Sequence, residues 1–218
     1  MAPLARAILA EVRARSDDLA GATPSQAAFW EHLYRDDDAG WEIGRAAPPL
    51  AAYFNRRENS PAGLRTLVIG CGRGHEARLL AGLGARVTAI DLATRAIAAA
   101  QAATPAEMDI DFRVHDLFAP LGQRFDLVVE HTCFCAIEPT RRDEYVQRVA
   151  DLLVAGGALV GLFYDHGRAG GPPHATSAAE LRGRFEGSFV IEALAPAEGS
   201  VLAREGQELL GRFVRRPA

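Results

Sequence analysis

The sequence predicts an α/β protein built on a doubly wound, mainly parallel sheet of seven strands, with a helical N-terminal extension and a C-terminal antiparallel hairpin. From residue 65 onward, short apolar segments alternate with helical segments of about a dozen residues, a pattern typical of crossover connections within one parallel sheet. The last two apolar segments have no helix between them, which indicates an antiparallel pair. Residues 1–60 lack this alternation and have helical periodicity instead.

The N-terminal extension is expected to contain helices and a polar, glycine-containing loop. Residues 4–16 form an amphipathic pattern. A second helix is predicted over residues 24–35, because residues 23–26 (TPSQ) form a capping box with proline at the first helical position. The loop is predicted at residues 35–49, and a short helix follows it to about Arg57.

The core is expected to alternate between strands and helices in a regular order. Strands are predicted at residues 65–70, 85–91, 110–116, 125–130, 156–164, 188–194 and 207–216. Helices are predicted at residues 72–84, 92–103, 139–153 and 177–185. Because crossovers between parallel strands are right-handed, these helices should cover both faces of the sheet.

Length and composition fit one globular domain over residues 1–218, in which residues 1–60 act as a cap or lid on a core at residues 65–214. The net charge of −4 gives no reason to expect nucleic acid as a partner, and no apolar run approaches the roughly 18 residues of a membrane span. The N-terminus has no apolar signal core, so we expect a cytoplasmic protein. We also expect a monomer or a small homo-oligomer. All 24 basic residues are arginine, which excludes phosphate-loop and Schiff-base lysines.

A glycine-rich turn follows the first predicted strand, with the sequence GCGRG at residues 70–74. Glycines let a ligand approach the backbone, and the amides of the following helix point towards it. Asp91 ends the second predicted strand and Asp116 ends the third, so both carboxylates should lie at the ligand-binding edge of the sheet. The pattern suits a nucleotide, a flavin or S-adenosylmethionine, and the alternative is that both aspartates are helix N-caps.

Residues 67–116 resemble the core of class I S-adenosylmethionine-dependent methyltransferases. More specifically, the chain resembles the thiopurine methyltransferase superfamily, in particular its thiol and halide methyltransferase branch. The stretches that carry the resemblance span most of residues 29–214 and are FWEHLYRDDDAGWEIGRAAPP, VIGCGRGHEARLLAGLGARVTAIDL, FDLVVEHTCFCAIEP, GGPPHATS and EGQELLGRFVRR. The resemblance implies a Rossmann-like methyltransferase fold, S-adenosylmethionine as cofactor, and a small-molecule acceptor with a soft nucleophile such as a thiol, selenol or halide.

The resemblance also assigns residues to the cofactor. It implies that the glycines of the turn face the methionine portion, that Asp91 holds the ribose and that Asp116 lies near the adenine. Trp41 matches a tryptophan that lies over the cofactor in this branch, and Trp30 would pack nearby. The expected cofactor-binding residues are Trp41, Gly70, Cys71, Gly72, Gly74, Asp91, Leu92, Asp116, Leu117 and Glu130.

Glu130 and His131 follow the fourth predicted strand and are the candidate catalytic residues. A sulfonium releases a neutral thioether, so no acid is needed to help it depart. A thiol, selenol or halide needs little or no base near neutral pH, whereas an alcohol or amide acceptor would need one. The alternatives are that Glu130 caps the next turn and that His131 only lines the wall. The family pattern has an acid followed by tyrosine and two phenylalanines, whereas here His131 and Cys133 replace the tyrosine and the first phenylalanine. Two alternative functions are open. The chain could methylate nitrogen or oxygen with these residues as base, or it could be a non-catalytic nucleotide-binding module.

Other residues are expected to contact the acceptor. Residues 164–177 form a loop with a proline pair that is well placed to close over the site. The expected substrate-binding residues are Trp30, Arg45, Cys133, Phe134, Arg168 and His174. No metal site or dithiol redox pair is expected, because Cys133 and Cys135 lack the C-x-x-C spacing and no second pair exists.

Overall fold

Seven strands form a single sheet at the centre of the chain. The computed structural model describes residues 22–35 and 39–217, so the helix expected at residues 4–16 lies outside the described residues. The strands are β1 (Arg65–Ile69), β2 (Arg86–Asp91), β3 (Ile110–Val114), β4 (Phe125–His131), β5 (Leu153–Tyr164), β6 (Phe189–Pro196) and β7 (Glu208–Arg215). Their order across the sheet is β3-β2-β1-β4-β5-β7-β6, which confirms the predicted doubly wound α/β class.

Six α-helices occur within the described residues. They are α1 (Ala27–Arg35), α2 (Pro48–Phe54), α3 (His75–Gly82), α4 (Thr94–Ala102), α5 (Arg142–Leu152) and α6 (Ala178–Phe185). The helix α1 begins three residues later than predicted, because residues 24–26 form a turn, although the capping-box bond from the Thr23 amide to Gln26 Oε1 is present. A search of the described helices finds none long and apolar enough to cross a membrane.

The strands from β3 to β5 are all parallel, and the C-terminal pair is antiparallel as predicted. The pair is not simply added at the edge, however, because β7 inserts between β5 and β6 and runs antiparallel to both. The parallel strands end at one edge of the sheet, where the functional groups of an open α/β fold collect. The segments that follow β1, β2, β4 and β5 therefore meet at this carboxyl edge.

Two apolar layers cover the sheet, one on each face. One layer contains Ile69, Val128 and the aromatic residues of α5 and α6, and the other contains Val68, Val129 and the apolar side of α3. Side chains alternate along a strand, so neighbours such as Val128 and Val129 belong to opposite layers. The same alternation decides where the polar residues at the end of β4 are directed.

Phe134 lies inside the first layer, where its side chain is 1% exposed. Its ring centroid is 5.1 Å from that of Tyr145 and 5.6 Å from that of Phe163. The guanidinium of Arg142 lies 4.5 Å from the Phe134 ring centroid and donates to both carboxylate oxygens of Glu180. The structure therefore places Phe134 in the core and outside the lining of the cavity at the carboxyl edge, whereas a contact with the substrate was expected.

Candidate active site

A cavity of about 980 Å³ opens at the carboxyl edge of the parallel strands. Its walls come from α1 and the segment that contains Gly40 and Trp41 (the Trp41 segment), the turns after β1, β2, β3 and β4, the loop after β5 and the segment before β7. Small-molecule sites typically have volumes of about 300–1,000 Å³, and this cavity lies near the upper end of that range. The sequence-predicted residues that line it are Trp30, Trp41, Gly70, Asp91, Leu92, Asp116, Leu117, Cys133 and Arg168.

The three glycines of the turn after β1 have different surroundings. Gly70 lines the cavity with a φ of +58°, and a Cβ there would lie 3.1 Å from the Cβ and Sγ atoms of Cys133. A Cβ at Gly72 would lie 3.0 Å from the Tyr34 hydroxyl, and one at Gly74 would lie 3.0 Å from Phe112. Gly72 and Gly74 therefore permit close packing within the protein, and of the three only Gly70 forms the cavity surface. Cys71, also expected at the cofactor, is buried outside the lining.

Asp91 is held rigidly at the cavity. Its Oδ2 accepts from the Gly72 amide and its Oδ1 from the Ala93 amide, both at 2.9 Å. Burial raises the pKa of the Asp91 carboxyl. The N-cap of α4 is Ala93, so Asp91 is not a helix N-cap, which removes the alternative for this residue.

Asp116 and its neighbours form the cavity wall beyond β3. Asp116 is exposed, and its Oδ1 accepts from the Phe118 amide at 2.9 Å, which stabilises a tight turn with no helix behind it. Leu117 and Leu92 add apolar surface beside it. This part of the cavity thus combines two carboxylates with aliphatic side chains.

Aromatic residues of the N-terminal segment cover the cavity. The Trp30 and Trp41 ring centroids are 5.4 Å apart with an 80° angle between the planes, and the Tyr34 ring lies 5.5 Å from Trp41. The Trp41 side chain hydrogen-bonds the Tyr34 hydroxyl, and burial raises the pKa of Tyr34. Glu31 accepts from the Thr94 amide, which ties α1 to the start of α4. The sequence analysis missed Tyr34, which no motif distinguishes from a packing residue.

Glu130 lies behind the cavity wall and is fully buried. Its Oε2 accepts from the amides of Cys133 at 3.0 Å and Phe134 at 2.8 Å. Its Oε1 is buried without a hydrogen-bond partner in the described structure. Burial raises the pKa of this carboxyl to about 7. The geometry is that of a group that stabilises the turn after β4, and it differs from the expectation of a base in contact with the acceptor.

His131 has both ring nitrogens engaged. Nδ1 lies 3.0 Å from Glu76 Oε1, and Nε2 lies 2.8 Å from Arg204 Nη1. A guanidinium can only donate, so Nε2 is the acceptor and Nδ1 carries the proton donated to Glu76. His131 therefore has no lone pair left to accept a proton from a substrate, and it does not line the cavity.

The turn after β4 carries two thiols into the cavity, those of Cys133 and Cys135. Burial raises the pKa of both, in Cys135 to about 12, so the thiols stay protonated and are poor nucleophiles. Thr132 connects β4 to Cys133 and has a φ of +62°, which is a strained value for a β-branched residue. Among the residues that the structure describes, no group of three or more His, Cys, Asp or Glu side chains is arranged to hold a metal ion.

Two further predicted substrate residues lie outside the cavity. Arg45 is exposed to solvent and does not line it. His174 does not line the cavity, whereas Pro172 and Pro173 do. The His174 amide donates to the Cys135 carbonyl at 2.7 Å, and its Nε2 lies 3.7 Å from Glu138. The cavity residues that sequence reasoning missed include His115, Phe118, Arg141, Tyr164, Arg204 and Gln207.

Replacing Glu130 with glutamine is expected to stabilise the protein near neutral pH. The carboxyl has a pKa of about 7 when folded and about 4.5 when unfolded, so the folded state binds more protons between these values. The stability contributed by protonated Glu130 is present below pH 4.5 and is lost as the pH rises to 7. Glutamine keeps the acceptor for the two amides without this loss, so the stability of the variant relative to the wild type should grow by about 3 kcal/mol across this pH range.

The measurement is urea unfolding of the wild type and Glu130→Gln at pH values from 5 to 8. Because Glu130 does not line the cavity, the variant should also keep its turnover within about threefold of the wild type. A stability difference that stays constant with pH, or a large loss of turnover at unchanged cofactor affinity, would contradict this assignment.

Comparison with known proteins identifies the relatives of the chain. A family model described as thiopurine S-methyltransferase matches residues 25–211. The chain is 30% identical over 194 residues to the probable thiol methyltransferase 2 of Arabidopsis thaliana, covering 84% of this chain and 83% of that protein. It is 31% identical over 196 residues to thiocyanate methyltransferase 1 of Brassica oleracea, with the same coverage. It is 29% identical over 181 residues to a thiopurine S-methyltransferase of Pseudomonas putida strain GB-1, covering 73% and 82% of the two chains.

Two solved structures have folds similar to that of this chain. The N-methyltransferase NodS of Bradyrhizobium japonicum, in complex with S-adenosylhomocysteine, superposes with a TM-score of 0.69 at 21% identity over 88% of this chain and 100% of that chain. A structure that concerns the conversion of a disulfide bond into a thioacetal group during echinomycin biosynthesis superposes with a TM-score of 0.71 at 24% identity, over 88% and 93% of the two chains. These similarities concern the fold. With the family model matched from residue 25 to residue 211, the chain belongs to the thiopurine S-methyltransferase family.

Proposed function

We propose that this chain transfers the methyl group of S-adenosylmethionine to the sulfur atom of a small-molecule thiol. The main observation behind this proposal is that neither of the two candidate bases at the end of β4 is placed to take a proton from an acceptor. Both nitrogens of His131 are engaged, and Glu130 lies behind the wall. A thiol with a pKa of about 8.5 is ionised in part near neutral pH without a base, whereas an alcohol or amide would need one. Relatives named for thiol, thiocyanate and thiopurine methylation support the choice of sulfur.

The residues around Asp91 suit an adenosyl ligand. Asp91 would accept hydrogen bonds from the ribose hydroxyls, since its carboxylate is already oriented by the Gly72 and Ala93 amides. Asp116 would accept from the adenine amine, and Leu92 and Leu117 would pack against the purine. When bound, S-adenosylmethionine supplies the electrophilic methyl group. The chemistry of the donors and the size of the cavity both fit this ligand.

The aromatic cover suits a positively charged ligand. The faces of Trp30 and Trp41 attract a cation electrostatically. Together with Tyr34 they also exclude water, so an ionised acceptor would face the methyl group with little solvent between them. Cys133 and Cys135 are protonated, so the soft wall that they form would not compete with the acceptor for methylation.

The cavity and the composition also suggest what kind of partner the chain has. We propose that the acceptor is a small molecule, because the cavity is lined by side chains from many separate parts of the fold. The net charge of −4 favours neither a nucleic-acid nor an anionic membrane partner. We further propose that the enzyme acts in the cytoplasm as a monomer or small homo-oligomer.

The test uses acceptors that share one skeleton and differ in the nucleophile. With S-adenosylmethionine, the chain should methylate thiophenol and should leave phenol and aniline unmethylated under the same conditions. For two thiols of different pKa, the pH midpoint of kcat/KM should follow the pKa of each acceptor. A midpoint that stays fixed would show that a base of the enzyme is required, and comparable methylation of phenol would overturn the choice of sulfur.

A further inference from the structure

Three residues form a polar cluster in the part of the cavity next to β5 and β7, whereas Asp116 follows β3 at one side of the sheet. Arg168 Nη2 donates to the Tyr164 hydroxyl at 3.1 Å, and Arg168 Nη1 donates to Gln207 Oε1 at 3.4 Å. The guanidinium carbon of Arg168 lies 5.8 Å from the centroid of the Tyr164 ring. All three residues line the cavity. We call this group the Arg168 cluster.

Arg168 has no acidic partner within the described parts of the chain, although it lies in a cavity. Its two side-chain hydrogen bonds go to neutral acceptors, and its Nε is buried without a partner. The other arginines of the cavity are different, since Arg141 pairs with Glu144 at 2.8 Å and Arg204 lies 3.4 Å from Glu208. The positive charge of Arg168 is therefore not compensated by a carboxylate of the described structure. Three of its five N–H donors have no partner there, the buried Nε and one on each of Nη1 and Nη2.

The backbone around Arg168 holds it in place. The Arg168 amide donates to His166 Nδ1 at 3.2 Å, and His166 Nε2 lies 3.2 Å from the Pro173 carbonyl. Burial lowers the pKa of His166 to about 4, so the ring is neutral and can accept at one nitrogen while it donates at the other. The cluster is thus connected to the proline pair that forms part of the cavity wall.

The Arg168 cluster is some distance from the position of methyl transfer. Tyr164 ends β5, whereas Gly70 and the turn that carries Cys133 follow β1 and β4. In the sheet, β4 lies between β1 and β5, so the ends of β1 and β5 are about 10 Å apart at roughly 4.8 Å per strand. An anion bound at Arg168 would therefore be a second group of the acceptor and not the attacking sulfur.

We infer that the Arg168 cluster is a carboxylate-binding subsite, and that the acceptor is a thiol whose carboxylate is separated from its sulfur by several bonds. The inference rests on the proposed function. A guanidinium binds a carboxylate through two parallel hydrogen bonds, a geometry that an ammonium cannot reproduce. The Tyr164 hydroxyl and the Gln207 amide add neutral polar groups beside it without adding negative charge.

The test is a length series of mercaptoalkanoates from 3-mercaptopropionate to 8-mercaptooctanoate, each compared with the mercaptoalkanol of equal length. In the wild type, kcat/KM should be about 10- to 100-fold higher for the acid than for the alcohol, with the maximum at an intermediate or long member. Arg168→Gln should reduce this ratio to nearly one, and Arg168→Lys should retain part of it. Arg65→Gln, at the opposite edge of the sheet, is the matched control and should keep the wild-type ratio.

A binding measurement separates recognition from turnover. Octanoate should bind to the wild type loaded with S-adenosylhomocysteine, as measured by calorimetry, and should bind at least tenfold more weakly to Arg168→Gln. Unchanged affinity for S-adenosylhomocysteine itself would show that this variant is folded. The subsite would be overturned if the wild type used acids and alcohols equally, or if Arg168→Gln did not change the acid-to-alcohol ratio of kcat/KM. In either case, methylation of neutral thiols would leave the proposed function intact. Failure to methylate any thiol would overturn the proposed function.

Discussion

Replacing Asp91 with alanine is expected to weaken the binding of S-adenosylhomocysteine by about 100-fold or more. The carboxylate is the group proposed to hold the ribose, and hydrogen bonds to a charged group contribute about 1.5–3 kcal/mol each. The substitution also removes the acceptor of the Gly72 and Ala93 amides, at 2.9 Å each, so the turn after β1 loses the contact that orients it. Calorimetric titration with S-adenosylhomocysteine measures the effect.

Two aspartates provide the matched controls for this experiment. Asp116→Ala should weaken binding by only about tenfold, because Asp116 is exposed and its contact with the ligand is partly solvated. Asp126→Asn should leave the affinity unchanged, since Asp126 pairs with Arg65 at the other edge of the sheet. An affinity of Asp91→Ala within threefold of the wild type would remove Asp91 from the cofactor site.

Those parts of the site that depend on strand order alone were predictable from the sequence. Gly70 comes directly after the buried strand β1, and Asp91 is the last residue of the buried strand β2. The carboxyl ends of parallel strands meet at one edge of the sheet. The position of Asp91 therefore needs no information beyond the alternation of strands and helices. The predicted hairpin was also confirmed, but the insertion of β7 next to β5 was not foreseen, because both possible orders leave the same pattern along the chain.

The direction of Glu130 and His131 could be predicted only in part. Glu130 pairs in register with Ile69 and Gly161, so it faces the same layer as Ile69, and His131 faces the other. Alternation along β4 therefore separates the two residues that the sequence suggests as a pair. The partners that engage His131, Glu76 and Arg204, are 55 and 73 residues away in the chain, and no local pattern connects them.

Residues in loops were the least predictable part of the site. Arg45 and Arg168 are both arginines in polar, glycine-containing loops, yet one is exposed and the other lines the cavity. Arg168 is held by hydrogen bonds to Tyr164, at the end of β5, and to Gln207, directly before β7. A loop residue of this kind can be assigned only when the tertiary contacts are known.

Replacing Arg204 with methionine is expected to destabilise the protein by about 3–5 kcal/mol, because breaking a buried ion pair leaves the partner charge uncompensated. Arg204 donates from Nη1 to His131 Nε2 at 2.8 Å and from Nη2 to the Trp41 carbonyl at 2.6 Å. Its charged neighbour Glu208 is 4% exposed. The Trp41 segment loses one of its connections to the core, so the affinity for S-adenosylhomocysteine should also fall.

Thermal unfolding measures the loss of stability, and a second variant identifies its cause. For a chain of this size, each 1 kcal/mol lowers Tm by about 2–4 °C, so Arg204→Met should lower it by roughly 6–20 °C. Adding Glu208→Gln removes the buried negative charge, so the double variant should recover a large part of this loss while the weakened cofactor binding persists. Arg212→Gln, which breaks the exposed pair with Glu192, is the matched control and should change the stability by at most about 1 kcal/mol. If the double variant were no more stable than Arg204→Met, the uncompensated charge of Glu208 would not be the source of the loss, and the lost contacts of Arg204 with His131 and Trp41 would have to account for it.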